Sequence, residues 1–407
     1  MKTIWILNHY AGNNEVGLEY RHFLIAKELK KQGYDVVIIA SSYTHLLDKP
    51  IEIEDNYLYE KYEDISYVWI KTPKYVGNGL SRFKNMLAYS INLQRYYREL
   101  NISKPDFVLS SSPHPFSILN GYNISKYYNA KFIFEERDLW PMSIIELTGM
   151  KKYHPISLLI QWLEDLAYKK ADLIVSPLIN LEKNINLRNI NHKDFLFLPN
   201  GILLDDIDSM LNKNIDVDSY IEKHKLLVGF GGTVGISNCV DTLVYVANEL
   251  RDEDIGFIII GDGEEYKKLV KYVEENNLSN VYMIGRKDKE TTLSILNKCD
   301  ILYNAVPKNK LYEFGLSAIK VPEYMYLGKY IINAVDIKND IVEVARCGST
   351  IKPQNIDALV YEIKLLSNYD KKKLEKFGKR AKEFVENNLS YDVLVQKLIK
   401  KLEDIKT

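Results

Sequence analysis

The sequence predicts an α/β chain built as two successive doubly wound domains. Short β-rich apolar runs alternate with helical patterns nearly throughout, most runs end in a Gly, Asp or Asn turn, and the alternation falls into two series of about 200 residues each. The 407 residues suffice for two or three domains of about 150 residues. At 46% hydrophobic and 27% charged, the chain has material for large cores and is neither disordered nor collagen-like. Its 54 basic against 55 acidic residues exclude a general nucleic-acid binder, which needs a basic excess to neutralise phosphates.

Thr3–Leu7 reads as the first strand. The N-terminus MKTIWILNHY lacks the long apolar core and small-residue cleavage site of a secretion signal. A loop with Gly12 and Gly17 follows, then a helix through Lys31 with Ile25, Ala26 and Leu29 on one face and Gly33 as its stop. Val36–Ala40, Phe107–Ser110, Lys131–Phe134, Leu173–Val175 and Phe195–Leu198 continue the first series, with Tyr57–Ile70 alternating as a β-ribbon inserted among them. After a polar stretch near Asp205–Lys225 come Leu226–Phe230, Phe257–Ile260, Val281–Ile284, Ile301–Tyr303 and Tyr330–Ile332.

The last segment, Tyr391–Thr407, carries Leu394, Leu398, Leu402 and Ile405 on one helical face, which must be buried somewhere; packing back onto the first domain is expected. The expected domains are therefore 1–204, 205–385 and a returning helix 386–407. The lysine run Lys371, Lys372, Lys373, Lys376 and Lys379, mixed with Asp370 and Glu375, reads as a solvated helix face. Cys239, Cys299 and Cys347 are isolated and odd in number, as expected of buried reduced thiols in a cytoplasmic protein. No apolar stretch reaches the roughly 18 residues of a membrane span.

In doubly wound sheets ligands bind outside the carboxyl ends of the strands, so the loops there are the places to look. The first turn, Asn8 to Gly17, is not Gly-x-Gly-x-x-Gly, which disfavours a nicotinamide cofactor, and no Gly-x-x-x-x-Gly-Lys-Ser/Thr marks a P-loop. The second domain opens with Gly229-Phe230-Gly231-Gly232-Thr233-Val234-Gly235, where bare backbone can approach a diphosphate or simply allow tight packing. Gly261-Asp262-Gly263 and Gly285-Arg286 follow the next two strands, and together the three turns outline a nucleotide-sized crevice. Pro322 suits the first turn of a helix and Gly328 its end, which puts Glu323 in that first turn. Glu323 either complements the helix dipole or accepts the hydroxyls of a ribose. Lys320, just before it, can neutralise a diphosphate leaving group. In the first domain, His114 lies between Pro113 and Pro115 at a strand end, where it either faces the crevice or serves the structure, and Glu135-Glu136-Arg137-Asp138 ends the next strand, facing either a ligand or solvent.

These blocks resemble one family. Gly17-Leu18-Glu19-Tyr20-Arg21, Ser111 to Phe116, Glu136-Arg137-Asp138-Leu139-Trp140-Pro141, Pro199-Asn200-Gly201, Gly232-Thr233-Val234-Gly235 and Lys320 through Gly328 occur in the order found in glycosyltransferase family 4. The ribbon Tyr67 to Tyr75 followed by Gly77-Asn78-Gly79 resembles the branch that builds bacterial O-antigen, capsule and exopolysaccharide. The resemblance implies a GT-B fold of two facing Rossmann-like domains, with the C-terminal helix returning to the first. It also implies metal-independent, cofactor-free transfer with retention of configuration from a nucleotide sugar, UDP-linked by family habit.

By the same resemblance, Glu323 matches the second carboxylate of the family's Glu-x₇-Glu motif, at the donor ribose, and His114 the histidine beside the transferred sugar. His114 and Lys320 are then the catalytic candidates. Gly232, Thr233, Gly235, Gly261, Gly263, Arg286 and Glu323 are the donor-nucleotide candidates, and Gly17, Glu19, Arg21, Arg137 and Asp138 the acceptor or sugar pocket. Two departures stand out: Gly315 occupies the place of the motif's first glutamate, with Glu313 nearby but out of register, and Ile236 to Asp241 lacks the basic pair many relatives carry.

The acceptor implied is a saccharide on a polyprenyl diphosphate. Lys71–Lys104 carries seven basic residues and one acid, with Leu80, Phe83, Leu87 and Ile91 at helical spacing. It is either an ordinary packed helix or a surface that rests on the cytoplasmic face of the inner membrane. The competing readings are a non-hydrolysing UDP-GlcNAc 2-epimerase-like enzyme and a non-catalytic sugar-binding subunit.

Overall fold

The computed structural model describes residues 1–17, 19–77, 79–211, 216 and 224–405. Leu18 and Asn78 of the motif blocks, most of the polar stretch before Lys225, and Thr407 lie outside the described residues. The chain forms two compact units, one of Met1–Pro199 with Tyr391–Thr407 and one of Asn200–Ser390.

The first unit is built on β1 (Thr3–Leu7), β2 (Asp35–Ser41), β3 (Tyr57–Tyr62), β4 (Ile65–Ile70), β5 (Phe107–Ser111), β6 (Lys131–Glu135), β7 (Leu173–Ser176) and β8 (Phe195–Phe197), in the spatial order β3-β4-β2-β1-β5-β6-β7-β8. β3 and β4 are an antiparallel hairpin, the ribbon expected over Tyr57–Ile70, and every other pairing is parallel. Its connections are α1 (Arg21–Lys31), α2 (Leu80–Tyr96), α3 (Ser117–Tyr128), α4 (Met142–Thr148), α5 (Pro155–Lys170) and α6 (Leu181–Leu187). α1 stops where expected: Gly33 takes a φ of +84°, and its amide donates to Lys30 O.

The second unit begins with α7 (Leu204–Leu211). Its strands are β9 (Leu226–Gly231), β10 (Ile255–Ile260), β11 (Val281–Gly285), β12 (Ile301–Ala305), β13 (Tyr330–Ala334) and β14 (Gly348–Ile351), all parallel in the order β11-β10-β9-β12-β13-β14. α8 (Val240–Glu249), α9 (Tyr266–Glu275), α10 (Lys289–Leu296), α11 (Lys320–Tyr326), α12 (Ile341–Ala345), α13 (Ile356–Ser367) and α14 (Lys371–Asn388) cover it. Alternate strand residues feed different cores: Phe230, Ile259, Tyr303 and Ile332 pack on one face, Ile258, Leu302 and Ile331 on the other. α15 (Tyr391–Asp404) returns to the first unit, burying Leu394, Leu398 and Leu402 and packing against α1. Lys401 pairs there with Asp194 at 2.7 Å.

In each sheet the order reverses beside the first strand, at β1/β5 and at β9/β12. Such switch points open a crevice at the strands' carboxyl ends, so the loops after β1 and β5, and those after β9 and β12, are where ligands can enter each unit.

Candidate functional site

In the second unit the loop after β9 is held by its neighbour. Gly232 donates its amide to Ile260 O at 2.9 Å and Val234 to Asp262 O at 3.0 Å. A side chain at Gly261 would collide with Gly232 O, and one at Gly263 with Val234 O. Internal packing therefore explains the glycines at 261 and 263, while Gly232 and Thr233 stay exposed. Gly235 is buried, lying beside Glu264. The Tyr324 hydroxyl accepts from Gly231 N–H at 2.8 Å and donates to Gly231 O at 2.9 Å, fixing the strand end against α11.

Lys320, the first residue of α11, reaches this loop. A Cβ built on Gly232 would stand 3.2 Å from its Nζ. The ammonium donates to Asn238 Oδ1 at 2.7 Å and lies 4.6 Å from the centre of the Phe230 ring. Among the described residues it has no carboxylate partner, and burial alone pulls its pKa down to about 8. A half-buried cation with only neutral company is destabilising until an anion arrives. Glu323 is paired with Lys289 at 2.7 Å, an ion pair that a ribose would have to share or displace. Arg286 is exposed at the end of β11. Asn200 donates to Ser317 Oγ at 3.1 Å and Ala318 O at 3.3 Å, anchoring the segment that leads to Lys320.

Gly315, in place of the family's first glutamate, has a φ of +128°, a conformation that residues with a Cβ rarely adopt. It closes the 3-10 turn Lys310–Phe314, on which Glu313 is exposed.

In the first unit, His114 corrects its expected role beside a sugar. Its Nδ1 accepts from Ser117 N–H at 3.0 Å, so Nε2 carries the proton and donates to Met86 O at 2.8 Å. The ring is buried, and burial lowers its pKa to about 4. No nitrogen is left for a ligand, because tying α2 to the β5–α3 turn uses both. His114→Ala should therefore lower stability by about 2–4 kcal/mol in urea unfolding while leaving turnover per folded molecule within a few-fold. A ten-thousandfold drop in turnover at unchanged stability would restore the catalytic assignment.

Arg21 is corrected similarly. Its guanidinium is buried, donating to Glu135 Oε1 at 3.1 Å and to the carbonyls of Leu198 and Pro199, each at 2.8 Å. His22 Nε2 and Ser111 Oγ complete the cage around Glu135, both at 2.7 Å. Glu135 is opposed by burial, but His22 and Arg21 overcome it and hold its carboxyl well below the usual range. Gly17 packs against Leu46 and Leu47, where a side chain would not fit.

Glu19 and Arg137 meet at 2.6 Å, leaving Glu19 Oε1 and Arg137 Nε buried without partners, while Asp138 reaches solvent. Burial works against the Arg137 charge, but Glu19 and Glu135 outweigh it and raise its pKa. These half-used groups are the better candidates for ligand contact in this unit.

Sequence reasoning missed His9, at the carboxyl end of β1. Its ring lies 4.9 Å from His114, and its Nε2 meets Asn85 Oδ1 at 2.6 Å. Because the Asn85 amide nitrogen donates elsewhere, to Pro73 O at 2.7 Å, His9 Nε2 is the donor and Nδ1 is a buried lone pair without a partner. Burial, then His114, keeps the ring neutral. Asn238 was also missed. Neither residue forms a motif, and each becomes meaningful only through a partner 76 or 82 positions away. Among the described residues no cluster of three or more His, Cys, Asp or Glu is placed to hold a metal, and the three cysteines are buried and free.

Comparison with known proteins places these features. The family described as "Glycosyltransferase Family 4" matches residues 17–206, and "Glycosyl transferases group 1" matches residues 213–384. An "Uncharacterized glycosyltransferase" of Methanocaldococcus jannaschii is 26% identical over 247 residues, 58% of this chain and 60% of its own length. A second from that organism is 32% identical over 36% of this chain, which spans 39% of it. The "Putative colanic acid biosynthesis glycosyl transferase" of Escherichia coli is 20% identical over 91% of this chain and 92% of its own. Among solved structures, Anabaena HepE in complex with UDP has a TM-score of 0.67 at 13% identity, covering 99% of this chain and 100% of that one. Sucrose-phosphate synthase from Thermosynechococcus elongatus scores 0.71 at 14%, covering 100% and 99%. Two matched domains in sequence, on two doubly wound sheets in space, make this chain a member of glycosyltransferase family 4 with the GT-B architecture.

Proposed function

We propose that the protein transfers a sugar from a nucleotide diphosphate sugar to a lipid-linked saccharide, with retention of configuration, in the synthesis of a cell-surface polysaccharide. The observation that carries this reading is Lys320: an ammonium without a carboxylate partner among the described residues, lying beside the exposed Gly232 of the loop after β9. That arrangement suits the charge that gathers on a departing diphosphate as the sugar becomes oxocarbenium-like. The donor is read as UDP-linked because HepE was solved with UDP, and the polysaccharide context follows the colanic acid relative. No metal or organic cofactor is called for, since Lys320 supplies the charge that a divalent ion would otherwise supply.

The acceptor reading draws on α2. Val76, Leu80 and Ile91 are exposed, with Lys84 and Arg95 beside them, while Asn85, Met86, Tyr89 and Leu93 form the buried face. Among the described residues no helix is long and apolar enough to cross a membrane, so contact with lipid would be peripheral, on the cytoplasmic face where nucleotide sugars are available.

The test is incubation with a panel of nucleotide sugars. UDP release that depends on a polyprenyl-diphosphate saccharide supports transfer. A sugar isomer formed without acceptor would identify an epimerase, and binding without turnover a sugar-binding subunit. UDP affinity should also weaken as pH rises from about 7 to about 9, because free Lys320 loses its proton near 8 and a neutral amine does not attract a diphosphate. Calorimetric titration across that range checks this, and a flat profile would remove Lys320 from the phosphate site.

A further inference from the structure

We propose that the outward face of α5, with the turn before it, is a docking surface for an anionic lipid bilayer. α5 has two apolar faces. Ile160, Leu163, Ala167 and Tyr168 are buried against the sheet, whereas Ile156, Leu158, Leu159 and Trp162 face solvent, Trp162 at 55% exposure. Tyr153, in the preceding turn, is 79% exposed. Exposed apolar groups that cluster on one helix, with a tryptophan and a tyrosine among them, mark a contact surface rather than chance.

Charge decides which contact. From Gly149 to Leu163 the chain carries Lys151 and Lys152, both exposed, and no acid. Both lysines precede the N-terminus of α5, where the helix dipole disfavours positive charge, so helix stability does not account for them. The turn is built to present them. His154 N–H donates to Lys151 O at 2.9 Å, His154 Nδ1 accepts from Ile156 N–H at 3.2 Å, and Pro155 opens the helix. An aromatic-rimmed apolar face with a fixed basic edge fits a bilayer with anionic headgroups.

Topology strengthens the case. The connections β4→β5, β5→β6 and β6→β7 all step the same way through the sheet, so right-handed crossovers put α2, α3 and α5 in one layer, with α3 touching both neighbours. The N-terminal ends of these helices lie at the strands' carboxyl ends, the edge that carries His9 and His114. Leu80, the first residue of α2, is exposed at that same edge of the layer, beside the loops that would receive the acceptor. The proposal rests on the lipid-linked acceptor for its purpose, though not for its geometry.

Sedimentation with vesicles tests it, using phosphatidylcholine with phosphatidylglycerol against phosphatidylcholine alone. The full chain should bind the anionic vesicles and release at high salt. Leu159→Glu with Trp162→Glu should lower partitioning roughly a hundredfold, since two side chains no longer enter the apolar layer, while turnover on a saccharide acceptor lacking the lipid chain stays unchanged. Lys151→Glu with Lys152→Glu, which touches no packed side chain, should abolish the preference for anionic lipid. Undiminished binding by both variants overturns the proposal, even if transfer to a lipid-linked acceptor is observed. A wild-type dimer that the Leu159/Trp162 variant dissociates, without vesicle binding, overturns it in favour of contact between copies. Vesicle binding lost in both variants, in a protein that transfers no sugar, upholds this surface while removing the proposed reaction.

Discussion

Lys320→Ala is expected to lower turnover at saturating donor by about a hundred- to a thousandfold, the cost of removing one preorganised donor from developing charge. The loss should fall on kcat more than on the donor KM, because the ammonium opposes more charge in the transition state than in the ground state. Lys320→Arg should recover little: Asn238 at 2.7 Å and the Phe230 face hold a compact ammonium, and a planar fork does not fit there. In the ligand-free protein, stability should move the opposite way. The folded pKa of about 8 lies below the unfolded value near 10.4, so the unfolded chain binds more protons between them and stability rises with pH across that window. Lys320→Met, which removes the unpaired charge, should accordingly raise the midpoint of thermal unfolding at neutral pH by a few degrees while lowering turnover as Lys320→Ala does. Turnover within a few-fold of wild type in Lys320→Ala would take the leaving-group role away from this residue.

Glu135→Ala should be the most damaging single change in the first unit, at about 3–5 kcal/mol, because it leaves the buried guanidinium of Arg21 and the ring of His22 without their shared carboxylate. Glu135→Gln keeps the shape but not the charge and should cost less. Because the folded pKa is depressed, the contribution is complete above the unfolded value near 4.3 and is lost as pH falls below it. Urea unfolding at neutral and acid pH checks both points: the gap between wild type and Glu135→Gln should narrow in acid. An unchanged gap would mean that Glu135 folds already protonated.

These two residues show how far the sequence could be read. The strands were legible because parallel strands buried on both faces are continuous apolar runs, as in Leu226–Gly231 and Ile255–Ile260. β14, spelled Gly-Ser-Thr-Ile at the sheet edge, has no such run and was not anticipated. Nor was α5, whose two apolar faces blur the 3.6-residue period that exposes an amphipathic helix. The position of Lys320 at the start of α11 was legible because Pro322 and Gly328, which bracket that helix, are local to it. The roles of Arg21 and His114 were misread because what they touch, Glu135 and Leu198 for one and Met86 for the other, lies far along the chain. A charged or titratable side chain near a strand end looks the same in sequence whether it serves a ligand or a neighbouring strand, and only the partner list tells them apart.

The backbone at Gly315 constrains any attempt to engineer the protein toward its relatives. Writing a glutamate into that position would place a Cβ on a backbone whose φ of +128° such residues rarely adopt, at the end of the 3-10 turn Lys310–Phe314, and should cost stability. Restoring the missing acid at 315 therefore carries a backbone penalty that the neighbouring Glu313, whose φ is not positive, does not bear.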